Sequence, residues 1–166
     1  MPVASNGDYH ANPVALARFF SPGVLSDLGS SNKSVSASRL FQKLNLCCLV
    51  DLDETVGQFY DRLFSRFVRD YRFEYVYKNA IAEKRFLGKH SLNTAFMLTE
   101  FRAAGCKADA VIVNGTSHIY EIKAGMDDFT RLANQLPAYF KIVDYITVVT
   151  EERLFSAAEK ILPAEV

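Results

Sequence analysis

Three cysteines in 166 residues, the adjacent Cys47 and Cys48 and the distant Cys106, supply neither a disulfide framework nor a zinc-ligand set. They read as reduced, structural thiols. No stretch reaches the run of about 18 apolar residues that a membrane span needs, and the opening MPVASNGDYH has neither a basic nor an apolar leader-like region. The expectation is a soluble, cytoplasmic protein with no membrane partner. Net charge is zero, so no overall cationic field draws the chain onto nucleic acid. There is no internal repeat.

What is present suffices for one good core, with 49% of residues apolar and 13% aromatic. Charge is unevenly spread. From 61 to 90 the bases Arg62, Arg66, Arg69, Arg72, Lys78, Lys84, Arg85 and Lys89 face only Asp61, Asp70, Glu74 and Glu83, whereas 91–166 carries seven bases against ten acids. That asymmetry suits a basic arm beside an acidic, cation-holding site, and equally a solvated helix face.

Residues 1–38, rich in Ser, Asn, Gly and Pro, read as a loosely ordered or peripheral segment with a short helical pattern over Pro13–Phe20. Residues 39–88 read as a helical region, because apolar residues recur three and four apart, as in Phe59, Leu63, Phe64, Phe67, Val68 and Tyr71. A break is expected near Arg72. The core is expected over 89–166: a helix over Leu92–Ala104 capped by Ser91 and stopped by Gly105, strands over Ala108–Val113 and Ser117–Ile122, a helix over Asp127–Phe140, a strand over Tyr145–Thr150 and a helix over Glu152–Ile161. The fold class is α/β.

Three acids and a lysine converge on the small sheet. Glu100 sits in apolar company, where a carboxylate is expensive unless neutralised; Asp109 opens one strand, and Glu121 and Lys123 share a face of the next. Asn114-Gly115 is a strong hairpin signal, and the loop length decides the chemistry. A strict two-residue loop would set Asp109 opposite Tyr120. A three-residue loop, 114–116, sets it directly opposite Glu121, where two carboxylates demand a cation. The three-residue register is expected here.

Asp109 followed by Glu121-Ile122-Lys123 resembles the motif of the PD-(D/E)xK nuclease superfamily. Gln135 and Tyr139 are similar to the Q-x-x-x-Y feature of its RecB-type members, and the run from about Tyr71 to Thr150, roughly half the chain, looks like a family of small, mostly uncharacterised bacterial and phage proteins assigned to it. Ala108 stands where the motif has a proline. The resemblance implies a restriction-endonuclease-like α-β-β-β-α-β core, although only two strands are visible before the Asp127 helix; the third is expected after Gly88 or around Gly105, or the hairpin is shifted. It also implies Mg²⁺, with Mn²⁺ as a substitute, held by Glu100, Asp109, Glu121 and the carbonyl of Ile122. Catalysis would fall to Asp109, Glu121, Lys123 and Glu100, with Gln135, Tyr139 and Arg131 orienting lysine or substrate. The implied reaction is phosphodiester hydrolysis in nucleic acid, DNA before RNA, with a homodimer as the form suited to cutting both strands.

Other residues carry structural explanations beside functional ones. His90 and His118 read as structurally satisfied histidines. Asp127 and Asp128 read as caps for their helix, and Pro137 should bend or end it. Basic residues interleaved with Tyr71, Phe73, Tyr75 and Tyr77 suggest nucleic-acid contacts, but aromatics at this density more often form core. The stretch CCLVDLDETV resembles the D-x-D-x-T loop of haloacid-dehalogenase-type phosphatases, with Asp51 as nucleophile. Such enzymes need a later strand ending in Thr or Ser, then Lys, then acids; here the only suitable strand, YITVVT, follows Lys123 and Asp127-Asp128. Asp51 and Glu54 also fit a capping-box-like helix start. Two alternatives to the nuclease therefore stand: a silent nuclease-fold protein that binds nucleic acid or a protein partner, and, remotely, a phosphatase.

Overall fold

The computed structural model of the chain describes residues 12–46, 53–125, 127 and 129–166. The chain folds as two compact units, Met1–Tyr71 and Arg72–Val166. Among the described residues no helix is long and apolar enough to cross a membrane.

The first unit is helical. Asn12 caps α1 (Pro13–Ala17) by accepting from the amide of Val14 at 2.9 Å, and a 3-10 turn, Arg18–Phe20, leads into α2 (Pro22–Ser31). Both α-helices have proline in the first turn, where the missing N–H has no intrahelical partner to lose. Ser34 caps α3 (Val35–Lys43), and α4 (Val56–Asp70) opens with a reciprocal Thr55/Gln58 capping box. Leu16, Phe19, Phe20, Val24, Phe59, Leu63 and Phe67 are buried, with Phe19 edge-on to Phe41 at 4.9 Å and to Phe59 at 5.7 Å. This corrects the expectation of loose order for the described part of 1–38, since four large apolar side chains there enter a core that α4 completes. It also moves the cap. Thr55 and Gln58 start α4, and Glu54 instead pairs with Arg62 at 2.7 Å; Asp51, the phosphatase candidate, lies outside the described residues.

The expected break near Arg72 is where the second unit begins. There α5 (Glu74–Ile81) runs into a π-helical turn, Ala82–Leu87. The segment read as a helix over Leu92–Ala104 is instead a turn at Ser91, whose carbonyl accepts from the amides of Thr94 and Ala95, followed by strand β1 (Phe96–Ala103). Its apolar residues, with Phe96, Met97 and Leu98 consecutive, alternate on neither face and suit a helix as well as a strand, so periodicity alone does not decide. Antiparallel pairing with β2 (Cys106–Asn114) decides it, from Phe96↔Val113 to Ala103↔Cys106. Ala104 and Gly105, at φ 49° and 79°, make the tight two-residue turn between them.

Strand β3 (Thr116–Lys123) pairs with β2 as Asn114↔Thr116, Val113↔Ser117 and Ala110↔Tyr120. This is the expected odd register, with Gly115 alone at the tip at φ 70°. Next come α6 (Leu132–Tyr139), β4 (Tyr145–Thr150) and α7 (Glu152–Glu159). β4 lies parallel to β3, Ile119↔Ile146 to Lys123↔Thr150, and α6 is the crossover that parallel pairing requires. Sheet order is β1-β2-β3-β4, so the unit is a mixed α/β fold with the order α-β-β-β-α-β-α. Leu132, Leu136 and Tyr139 of α6 pack on Val111, Ile119 and Ile146. Ile81, with Tyr77 and Phe86, packs on Ala110, Ile112, Tyr120 and Ile122. α6 starts five residues later than expected, at Leu132, and Asp127 does not cap it; its carboxylate accepts from the amide of Ala124 at 3.2 Å and closes the turn after β3. Asp128 lies outside the described residues. Cys106 is a free thiol packed against the core, as read, whereas Cys47 and Cys48 are also outside the described residues.

Candidate metal and catalytic site

The two registers set three acids in one row across the sheet. On β1 and β2, Thr99↔Ala110 and Phe101↔Ala108 bracket Glu100 and Asp109, and continuing the β2–β3 register one step beyond Ala110↔Tyr120 sets Asp109 opposite Glu121. Neither position is a regular ladder pair. Glu100 has φ 56°, a left-handed conformation that costs a non-glycine residue about 1–2 kcal/mol. The Asp109 carboxylate Oδ2 accepts the amide of Ile122 at 2.8 Å, so a side chain fills the place of a backbone partner where the strands part.

The side chains from this row separate into two clusters. Glu100 and Asp109 meet Glu74, in the first turn of α5, with one carboxylate oxygen of each within 4.8 Å of the others. Two lysines lie against them. Lys78, one turn beyond Glu74, contacts Glu74 Oε1 at 2.5 Å and also Glu100 Oε1, and Lys107 of β2 contacts Glu100 Oε2. The expected set of Glu100, Asp109 and Glu121 is therefore corrected: among the described residues the acids within shared-cation distance are Glu74, Glu100 and Asp109.

Glu121 belongs to the second cluster, with Lys123, Gln135 and Tyr139. Both charged residues are 2% exposed. Glu121 Oε1 accepts from Lys123 Nζ at 3.0 Å and Gln135 Nε2 at 2.8 Å, and Oε2 accepts from the Tyr139 hydroxyl at 3.0 Å. Gln135 Oε1 lies 3.4 Å from Lys123 Nζ, and the Tyr139 hydroxyl lies 2.9 Å from the carbonyl of Lys107. α6 brings Gln135 and Tyr139 to the pair as the i, i+4 spacing expects. Arg131 occupies the N-cap position of α6 and is exposed, outside both clusters. Of Ile122, the group engaged here is the amide.

Electrostatics tie the clusters together. Burial is the main cause that lifts the Asp109 carboxyl to about 6; the Ile122 amide pulls it down, while the charges of Glu121 and Glu74 add to the rise. Glu100 is held at about 2 by Lys107 and then Lys78. Burial alone would lower the Lys78 ammonium, but its hydrogen bonds to Glu100 and Glu74 outweigh that and raise it. The Tyr139 hydroxyl is raised, by burial first and then by Glu121.

Glu74, Lys78 and Lys107 are the site residues that the sequence conceals. Glu74 and Lys78 carry only the i, i+4 signature of a helix-surface ion pair, and nothing local says that α5 lies beside the row. His118 and His90 are held structurally, as read: His118 Nε2 is 2.8 Å from Thr147 Oγ1 with its ring stacked on Tyr120, and His90 Nδ1 is 2.7 Å from the side-chain amide of Asn114. Among the bases of 61–90, Arg62 pairs with Glu54, Arg69 with Asp70 and Lys78 with Glu74 and Glu100.

The donor chemistry suits a hard divalent cation. Carboxylate oxygens drawn from a helix and two strands are what Mg²⁺ or Mn²⁺ takes up, and the two ammonium groups lie where positive charge is wanted.

Residues 68–166 match the sequence model of a family described as bacteriophage P4 protein cII. No curated protein matches the chain. Among solved structures, the "SPO1766 protein of unknown function from Silicibacter pomeroyi" matches at 21% identity with a TM-score of 0.35, over 44% of this chain and 49% of that one. The match thus spans about half of that protein's length.

Proposed function

We propose that this chain, which belongs to the bacteriophage P4 protein cII family, is a metal-dependent nuclease of PD-(D/E)xK type that hydrolyses phosphodiester bonds in nucleic acid, with DNA as the preferred substrate. One observation carries the reading: Glu100, Asp109 and Glu121 stand in one row over three strands, and a fully buried Lys123 is bonded to Glu121. A buried ion pair of this kind does little for stability alone, because apolar residues of similar volume commonly serve as well or better. The α-β-β-β-α-β order, with the third strand found at β1, supports a restriction-endonuclease-like core.

The residues divide the work. Glu74 and Asp109, with Glu100, would hold the cation, and Glu121 lies next in the row. When bound, Mg²⁺ supplies an activated water and stabilises the charge that develops on the phosphate. Gln135 and Tyr139 fix both oxygens of Glu121, which in turn fixes the Lys123 ammonium. Lys123 would then donate a hydrogen bond that positions the attacking water, or offset phosphate charge. The reading takes the protein as cytoplasmic and a homodimer as the form that cuts both strands.

A second reading has its own support. Every oxygen of Glu121 and of Glu100 already has a partner within the chain, as expected of a nuclease fold that binds nucleic acid or a protein without cutting. Incubating the protein with plasmid, single-stranded DNA and RNA, in Mg²⁺ or Mn²⁺ against EDTA, separates the two. Metal-dependent cleavage lost in Asp109→Ala and Lys123→Ala is expected. Absence of cleavage by wild type, or equal cleavage by the variants, overturns the nuclease.

A further inference from the structure

We propose that Lys78 is an exchangeable counter-cation of the acid cluster: its ammonium holds Glu74 and Glu100 in the metal-free chain and leaves when a divalent cation enters. The inference rests on the metal-nuclease reading and adds a control to it.

Position is the first ground. Lys78 Nζ touches oxygens of two of the three acids that share cation distance, Glu74 Oε1 and Glu100 Oε1, and its side chain is only 16% exposed. The third acid, Asp109, accepts the Ile122 amide at its Oδ2 and has no ammonium partner among the described residues, although the Lys78 charge acts to lower its carboxyl. An internal cation therefore bridges a helix acid and a strand acid from one side, as a metal would.

Competition is the second. Mg²⁺ and Mn²⁺ need several oxygens at about 2.0–2.2 Å in near-octahedral geometry, and an oxygen facing an ammonium at hydrogen-bond distance presents its lone pair to that ammonium. Ammonium and dication also repel one another across the same carboxylates. Lys107 is differently placed. Its side chain is 45% exposed, sits on β2 and, among the described residues, pairs only with Glu100 Oε2, so one oxygen of Glu100 stays neutralised while the other is released. Lys78 shares α5 with Glu74, one turn away, and rotation about its side-chain torsions moves the ammonium off without displacing the acid. The freed lysine then lies beside a cation that attracts phosphate, so that substrate charge replaces the partners it has lost.

The test is amine labelling of the full chain read residue by residue by mass spectrometry, in EDTA and in Mn²⁺, with Mn²⁺ occupancy followed by electron paramagnetic resonance. Lys78 acetylation is expected to rise several-fold as Mn²⁺ fills the site, with Lys123 protected throughout, and Asp109→Asn is expected to abolish the rise. Lys78→Met is expected to tighten Mn²⁺ about tenfold, within the range usual for coupled sites. Binding by Lys78→Met where wild type binds none also supports the exchange. Mn²⁺ bound to wild type with Lys78 labelling unchanged overturns the exchange and leaves the nuclease reading standing. Absence of Mn²⁺ binding to both proteins overturns the two together.

Discussion

Replacing Asp109 by Asn should stabilise the metal-free protein, and increasingly so as pH rises. The Asp109 carboxyl is lifted from its ordinary 3.8 to about 6, chiefly by burial and further by Glu121 and Glu74. Because the folded value is the higher one, the folded state binds the proton more tightly. Between 3.8 and about 6 the unfolded chain ionises first, and stability is lost as pH rises through that window. The full gap corresponds to about 3 kcal/mol, reduced to about 1–2 kcal/mol for a group still partly open to solvent. Asparagine cannot ionise, and its carbonyl oxygen can keep the Ile122 amide. Urea unfolding of wild type and Asp109→Asn in EDTA should therefore give a gain of a few tenths of a kcal/mol at pH 4 and about 1–2 kcal/mol at pH 7.5. Glu100 acts with the opposite sign, since its value is held at about 2; its contribution is lost only as pH falls below the ordinary carboxylate range, so it leaves the comparison above pH 4 largely intact. A gain independent of pH, or a loss at pH 7.5, would refute the claim that an ionised, poorly compensated carboxylate sits at this point of the row.

Lys123→Met should destabilise the protein by about 3–5 kcal/mol in urea, because it leaves the buried Glu121 without its cation. The double variant with Glu121→Gln should lose less than Lys123→Met alone, and additive losses in the double-mutant cycle would contradict a coupled pair. Gly105→Ala should cost about 1–2 kcal/mol from backbone conformation alone, since φ is 79° and nothing lies within 4 Å of the added Cβ; an unchanged urea midpoint would argue against the two-residue turn between β1 and β2.

The β2–β3 hairpin was legible because Asn114-Gly115 marks the tip and the spacing of Asp109 and Glu121 demands an odd register for their carboxylates to meet. β4 and the packing face of α6 follow from Tyr145–Thr150 and from Leu132, Leu136 and Tyr139. β1 was hidden by its own apolarity: Phe96, Met97, Leu98 and Phe101 suit a helix and a strand alike, and only the partner strand decides between them. The same limit governs the site. Glu121, Lys123, Gln135 and Tyr139 lie on elements whose periodicity brings them together, whereas Glu74 and Lys78 join Asp109 only because α5 lies over the sheet, a tertiary fact with no local mark. In the first unit Leu16, Phe19, Phe20 and Val24 were masked by the Ser, Pro and Gly around them, which here form caps and first turns rather than loose chain.

The most direct measurement is an anomalous difference map from crystals grown in Mn²⁺. A metal-dependent nuclease of this kind requires a peak ligated by Asp109 together with Glu74 or Glu100, and the exchange proposed for Lys78 further requires its ammonium to have left the space between Glu74 and Glu100. Crystals grown in saturating Mn²⁺ that show no peak at these acids contradict it.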